Sequence, residues 1–531
     1  MNQSGRQIAR AAPLVMALFL VSRVLGMLRQ MVIGAMFGTS GALDAYVLAS
    51  RIPEAIFLIV AGGALGSAFI PAFAELLSSE DRAPSEWRLL KGDRAGAWRL
   101  ASAVVNLTLI ALTLAAGLMA LFAPALVRTV LAPGFDPAQQ ALTAQLLRLM
   151  LISSVIFGVS GIVMGVLNAH QHFLLPALAP SAYNLSIIGG ALLLGERVGV
   201  LGLAIGVVVG AALHLLVQVP GLLRHRARYV PTLGLDSPSV REVGRLMVPR
   251  VVGTAIAQIN FVINNSLASG LGEGAVSAIN YAWILMLLPQ GIFAQAVGTA
   301  AFPTFAAQAA RGERAEMRST LAATLRAVFF LCLPATVGLL VLGRPLVALL
   351  FERRMFQASS TEAVAWALAL YALGLVGHAG LEIIARAFYA LHDTFTPVWV
   401  GAVAVGVNVA LSLTLPGAFG LMGWPTFAGL ALANSLATLL ELVVLLVLIQ
   451  RRMGGIEGRR TSIAFAKGGL AALAMGALLV GWQAALPGAG ALVVGGGGVV
   501  LGAVAYVGAA ALLRVEELHA AVGLVARRIG V

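Results

Sequence analysis

Charge is scarce in this chain. Asp, Glu, Lys and Arg make up 11% of its 531 residues, against roughly 25% in an ordinary soluble domain. With 60% hydrophobic residues, too few polar groups exist to cover a water-facing surface. Cysteine is almost missing: the single Cys332 lies inside an apolar run, which excludes an intrachain disulfide and a cysteine-based metal site. No P-loop, GxSxG, HExxH or glycine-rich dinucleotide fingerprint occurs. No catalytic residue, metal site or cofactor is therefore expected, and no nucleotide-binding domain to drive primary transport. Long polar stretches are lacking too. Joints such as SSEDRAPSEWRLLKGDRAG and RHRARYVPTLGLDSPSVREVG are too short for a soluble domain.

What is present is a series of long, unalternating apolar runs such as AVVNLTLIALTLAAGLMALFA. A helix needs about 20 such residues to cross a bilayer, whereas barrel strands alternate over about ten. The expected fold is an all-α polytopic membrane protein of about fourteen spans: 11–36, 43–76, 101–126, 140–168, 174–195, 198–222, 246–270, 275–308, 320–350, 361–390, 395–416, 424–450, 463–486 and 488–513. The first resembles a signal peptide at its start. It runs past twenty residues, holds Arg23 and Arg29 and has no small-residue cleavage site, so it is read as retained. The net charge of +13 does not point to nucleic acid, because the arginines fall in short joints between spans. With the N-terminus inside, 25 Lys and Arg lie in cytoplasmic segments and 5 on the opposite side. This is the positive-inside bias, and it places both termini in the cytoplasm.

An internal repeat runs through the spans. Pro13 and Pro53 recur as Pro249 and Pro289, an offset of 236; at that offset Gly38 meets Gly274 and Asp44 meets Asn280. The turn GVLNAHQHFLLP resembles AFYALHDTFTP. The expected organisation is a six-helix half at 1–222, a second in parallel at 223–450, and two additional helices with a short tail at 451–531.

Charges inside spans are costly and are functional candidates. Arg23 and Arg51 each lie on the order of 12–18 Å into neighbouring spans, at 1.5 Å per residue, with Arg29 further out and Asp44 opening the second helix. A guanidinium binds phosphate oxygens in pairs and stays charged at any working pH, so Arg23, Arg29 and Arg51 suit an anionic, phosphate-bearing substrate. The bland alternative is that Arg23 pairs with Asp44 and fixes packing. Glu382 and Arg386 share a helix face, as a gate or as a self-neutralising pair, and His378 lies on that face. Gln258, Asn260, Asn264 and Asn265 make the seventh span polar, through either a wet cavity or hydrogen bonds between helices. Gly202, Gly206 and Gly210 form a stripe read as close packing.

The opening SRVLGMLRQMVIGAMFGTSGALDAYVLASRIPEAIFLIVAGGALGSAFIPAFAE resembles the MurJ (MviN) family of lipid II flippases, as do APSAYNLSIIGG, QINFVINNSLAS, LPQGIFAQAVGTAAFPTFA and FYALHDTFTPV. The resemblance spans about residues 10–450. It implies fourteen helices, a central cationic cavity for a lipid pyrophosphate, and a groove on the last two helices for the lipid tail. It also implies a bacterial cytoplasmic membrane, lipid II as partner, and cell-wall synthesis proteins as candidate protein partners. The family's first-helix arginines match Arg23 and Arg29, and its acid opening the second helix matches Asp44 as gate partner. Other family charges fall at Gln30, Phe57, Leu58, Gly62, Ile284 and Leu287, so Arg51 and Arg386 are candidates to replace them. The rival readings are export of another polyprenyl-linked saccharide, MATE-like drug export, which calls for acidic residues, a membrane-embedded transferase relying on Glu352 or His392–Asp393, and a non-transporting scaffold.

Overall fold

The computed structural model describes residues 3–58, 69–82 and 93–519, with side chains from residue 14 onward apart from 78–94, 249–250 and 252–257. Among the described residues there is no strand. The chain divides into two compact units, Met1–Gly274 and Ala275–Val531.

The first unit holds α1 (Gln3–Phe37), α2 (Gly41–Phe57), α3 (Ile70–Arg82), α4 (Asp93–Leu121), the short α5 (Ala123–Leu126) with a π turn (Val127–Leu131), α6 (Pro137–Ala169), α7 (Leu174–Val198), α8 (Leu201–Leu216), the short α9 (Val219–Arg224) and α10 (Pro238–Ala268). Local chemistry sets the starts. The Ser40 hydroxyl accepts from Leu43 N–H at 3.3 Å, and the Asp136 carboxylate accepts from Ala138 and Gln139 at 2.8 and 2.9 Å, with Pro137 at the first helical position. α1 packs on α7, and α7 packs closely on α8. A Cβ at Gly190 would sit 2.4 Å from the Gly202 carbonyl oxygen, and one at Gly206 3.0 Å from Ile187 Cα. The glycine stripe is therefore a backbone-to-backbone seam. A core of Phe69, Phe73, Trp98, Ile162, Val166 and Val243 ties α3, α4, α6 and α10 together.

The second unit holds α11 (Ala275–Pro289) running through a π segment (Gln290–Gln295) into α12 (Ala296–Ala310), α13 (Arg314–Phe351), α14 (Ala358–Leu373), α15 (Leu375–Ala390), α16 (Phe395–Leu421), α17 (Ala428–Met453), α18 (Gly458–Ala485), and a π segment (Leu492–Gly497) leading into α19 (Gly498–Leu512). The tenth expected span is bent by 44° between α14 and α15. The cause is local. Ser435 Oγ donates to the Leu370 carbonyl at 2.6 Å, and the missing side chain of Gly374 lets Ser435 approach. The run Gly495–Gly498 lies against α13, with Cβ positions 3.1 Å from Pro345 O and 2.9 Å from Leu342.

Among the described residues eleven helices are long and apolar enough to cross a membrane, or up to twelve if the bent pair counts as one, so the exact count of fourteen is not confirmed. The second expected span, 43–76, appears as α2 and α3 with 59–68 between them outside the described residues. The seventh lies in α10, which is 31 residues long but is absent from the apolar set. Residues 249–250 and 252–257 of that helix lie outside the described side chains, so its apolar stretch is not counted with the others. Large apolar side chains turned outward, such as Leu114, Leu193, Leu421 and Leu473, mark the lipid-facing surface that such helices require.

The repeat reappears in backbone conformation. Positive φ occurs at Gly38 and Gly274, at Gln171 and His392 (57° and 58°), and at Gly199 and Gly423. The helix ends at Gln171 and His392 are closed alike: His172 N–H donates to the Leu167 carbonyl at 2.9 Å and Asp393 N–H to the Phe388 carbonyl at 3.0 Å.

Candidate functional site

The candidate residues fall into three groups. In the first unit, α1, α2 and α7 bring basic, acidic and phenolic side chains together. Arg23 is exposed on α1 and makes no hydrogen bond or ion pair among the described residues. Arg29, two turns on, is half-buried, and its Nε is shielded from solvent without a hydrogen-bond partner. A guanidinium held this way lacks its full complement of acceptors. Arg51 Nη1 lies 3.3 Å from Glu54 Oε2, one turn along α2, with 20% of the arginine and 52% of the glutamate side chain exposed. The charges of Arg29 and Glu54 both reach the Tyr46 and Tyr183 hydroxyls. Glu54, Tyr46 and Tyr183 were not singled out from the sequence, although "DAYV" and "APSAYNL" lie in the blocks that carry the resemblance. The side-chain charges of Arg23, Arg29, Arg51 and Glu54, taken along α1 and α2, sum to +2.

Asp44 lies elsewhere. It is fully buried, and its Oδ2 accepts from Gly274 N–H at 2.7 Å. Glu273 Oε1 likewise accepts from Gly41 N–H at 2.9 Å. These acids fasten the α2 N-terminus to the segment after α10. Phe57 packs in a tilted ring contact 4.6 Å from Phe157 and lies 6.2 Å from His214. Leu58 and Leu287 are exposed and Ile284 is half-buried, while Gly62 lies outside the described residues. His214 belongs to a buried polar cluster, with Ser160 Oγ 2.7 Å from its Nδ1 and Gln218 Nε2 donating to Ser160 at 2.8 Å. Nothing in the linear pattern marked that cluster.

The second group is in α10. Asn264 Nδ2 donates to Asn260 Oδ1 at 2.8 Å and to the Asn260 carbonyl at 2.9 Å. Asn265 Nδ2 donates to the Phe261 carbonyl at 2.7 Å. Much of this helix's polarity is thus satisfied along its own axis. Gln258 is half-buried on the same helix.

The third group is in the second unit. Glu382 Oε1 accepts from Arg386 Nη1 at 2.5 Å, and the same nitrogen donates to the Glu382 carbonyl at 2.7 Å. Only 24% and 23% of these side chains are exposed. The pair lines a cavity of about 450 Å³ with His378, Gln290, Phe302 and Tyr389. Gly298 leaves room for the guanidinium, since a Cβ there would come within 2.8 Å of Arg386 Nη1. His378 Nε2 lies 3.1 Å from Asn434 Oδ1. Glu441 on α17, overlooked in the sequence, carries a third acid close enough for its charge, with those of Glu382 and Arg386, to act on Tyr389. Among the described residues no cluster of His, Cys, Asp and Glu could hold a metal ion.

A family described as lipid II flippase MurJ matches residues 33–492. Lipid II flippase MurJ of Burkholderia cenocepacia is 33% identical over 453 residues, covering 83% of this chain and 84% of that protein. Probable lipid II flippase MurJ of Haemophilus influenzae is 30% identical over 472 residues, covering 86% and 89%. Among solved structures, lipid II flippase MurJ in an inward closed conformation superposes with a TM-score of 0.77 at 24% identity, covering 94% of this chain and 98% of that one. An inward-facing multidrug resistance MATE transporter of the MOP superfamily gives 0.64 at 16% identity, covering 82% and 96%. These two likenesses speak to fold.

Proposed function

The chain belongs to the MurJ family of lipid II flippases, transporters and not enzymes, and from this premise we propose how it handles its lipid. It moves an undecaprenyl-pyrophosphate-linked peptidoglycan precursor from the cytoplasmic to the outer leaflet of the bacterial cytoplasmic membrane by alternating access, with both termini cytoplasmic. The observation that carries the reading of the site is the net charge of +2 summed over Arg23, Arg29, Arg51 and Glu54. A pyrophosphate diester carries two negative charges. Arg29 offers a shielded, unpartnered guanidinium N–H, a strong donor to a phosphate oxygen where water is excluded. The phenols of Tyr46 and Tyr183 add neutral donors.

Glu54 supplies a reset. When phosphate arrives, Arg51 exchanges the carboxylate for it, and when the lipid leaves, Glu54 takes Arg51 back. An internal competitor keeps binding weak enough for release. Asp44 holds the α2 N-terminus in place for this exchange. In the first unit the polar face of Gln258, Asn260 and Asn264 is available to the headgroup; in the second, the Glu382–Arg386 pair is a charge partner that adds no net charge. The halves 1–222 and 223–450 are the bodies whose rearrangement exposes the site to either side, and the helices of 451–531 take the polyprenyl tail. The deciding experiment is rescue of cells depleted of their own lipid II flippase. Growth with the wild-type chain and lysis with Arg29→Ala, at equal membrane abundance, supports the assignment. Failure of the wild type to rescue removes it.

A further inference from the structure

The two helices outside the repeat end in a feature that substrate transport does not use. At the start of α18 and the end of α19 lies a cavity of about 580 Å³. Five basic side chains surround it: Arg459, Arg460, Lys467 and Arg514 on its wall, and Arg326 of α13 beneath. Its three acids are already engaged. Arg326, only 7% exposed, holds Glu457 and Glu517, each at 3.1 Å. Arg460 holds Glu516 at 2.6 Å and approaches Glu457 at 3.7 Å. Glu457 is desolvated, but hydrogen bonds from Arg326 and Ser319 keep its carboxyl below the ordinary range, and Arg460 does the same for Glu516. Both acids therefore stay charged and committed. Arg459 and Arg514 form no ion pair among the described residues, and Lys467 makes one long hydrogen bond, 3.4 Å to the Arg514 carbonyl, while its charge also acts on Glu516.

Three cations are thus left facing a cavity whose remaining wall is apolar, with Ile463, Ala464 and Val515. Farther along, both helices turn large apolar side chains outward: Leu470 and Leu473 on α18, Val500 and Val504 on α19. A small soluble anion would use the cations and leave the apolar wall wet. A molecule with a phosphate at one end and hydrocarbon directly beneath it uses both. We propose that this cavity is a binding site for the phosphodiester headgroup of an anionic membrane phospholipid, whose acyl chains run along α18 and α19. Arg326 acts as a positioning residue: by fixing Glu457 and Glu517 it keeps both acids off the three open cations.

The site can be tested on the purified full-length protein, freed of lipid in a neutral detergent. Its thermal unfolding is followed while phosphatidylglycerol, phosphatidylcholine or inorganic phosphate is added. The expected result is a saturable rise in Tm with phosphatidylglycerol alone. Arg459→Gln/Lys467→Gln/Arg514→Gln should raise the half-saturating concentration at least tenfold, since each cation at an anionic lipid contributes about fivefold. Neutralising Arg128 and Arg197, exposed cations elsewhere, should change it less than twofold. Where the triple variant does not fold, Arg459→Gln and Arg514→Gln singly should each give about fivefold. Unchanged phosphatidylglycerol affinity in these variants, equal binding of phosphatidylcholine, or saturation by inorganic phosphate at the same concentration overturns the proposal. No lipid II enters the assay, so its outcome is independent of the transport reading.

Discussion

Each unit carries an arginine–glutamate pair one turn apart on a helix, and the two pairs are built differently. In Arg51–Glu54 the contact is 3.3 Å and the acid is the more open partner, at 52% exposure. In Glu382–Arg386 it is 2.5 Å, both partners are equally sheltered, and the arginine also takes its partner's backbone carbonyl. The first pair is loose, and the charge of its acid reaches the same two phenols as Arg29 does. The second is closed on itself. A pair whose acid faces solvent can exchange that acid for an incoming anion at small cost. A pair sheltered on both sides would leave a stranded charge. Sequence spacing, i+3 against i+4, gives little hint of this; exposure decides it.

The comparison breaks most visibly through substrate. Arg29→Ala should lower lipid II flipping in proteoliposomes at least a hundredfold, because a desolvated phosphate donor is lost, while Arg29→Lys should recover part of it as a point charge. Arg386→Ala should fall well short of that loss. Equal losses in the two units would remove the distinction between an exchanging and a closed pair.

Glu54→Gln should tighten binding of lipid II roughly tenfold, about 1.4 kcal/mol, and slow turnover by a similar factor, because the internal competitor is gone. Unchanged affinity and rate would show that Glu54 does not compete with phosphate. In the second unit the matching change acts on stability. Arg386→Met should lower the stability by about 1 kcal/mol once partial exposure is allowed for, seen as a fall in Tm, and adding Glu382→Gln should restore most of it. A double variant no better than the single would mean that the pair is not self-contained.

The smallest effect concerns the two equivalent turns. His172 stands where the second turn has Asp393. Burial, then the charges of Arg224 and His170, hold the His172 imidazole below its ordinary value near 6.5. Its contribution is therefore present above that pH and lost as acidification protonates the unfolded chain first. Asp393 is held below the ordinary carboxylate range by the Thr396 N–H, the Thr396 hydroxyl and Arg452, so its contribution persists until pH falls below about 3.9. Going from pH 7 to 5 should lower the amide-exchange protection factors after α6 and leave those of the turn after α15 unchanged. Equal behaviour at both turns would refute the assignment.

The fold class was legible in the sequence because membrane helices announce themselves by length and apolarity, and the arginines stood out as candidates because a guanidinium suits phosphate. The repeat was legible through its prolines and turn residues. Partnership was not. Asp44 stands near Arg29 and Arg51 in the chain but points its carboxylate at a backbone N–H more than two hundred residues away. Glu54, in plain view beside Arg51, gained meaning only from its exposure. Arg326, one of the 25 basic residues counted in cytoplasmic segments, is buried between Glu457 and Glu517. Cutting the chain after residue 455 to probe the tail path would strand that charge, so the shortened chain needs Arg326→Met as well.

The seam between α7 and α8 has a mechanical consequence. Where the Gly190 and Gly206 backbones touch, no side chain is present to slide or re-pack, so the two helices resist shear and act as one beam. α1 rests on α7, and with it Arg23 and Arg29. The arginines are therefore mounted on this beam, and an inserted methyl at Gly190 would displace the mounting rather than the site itself. Whatever motion carries the headgroup across, these two charges travel with the beam, like fittings on a swinging arm.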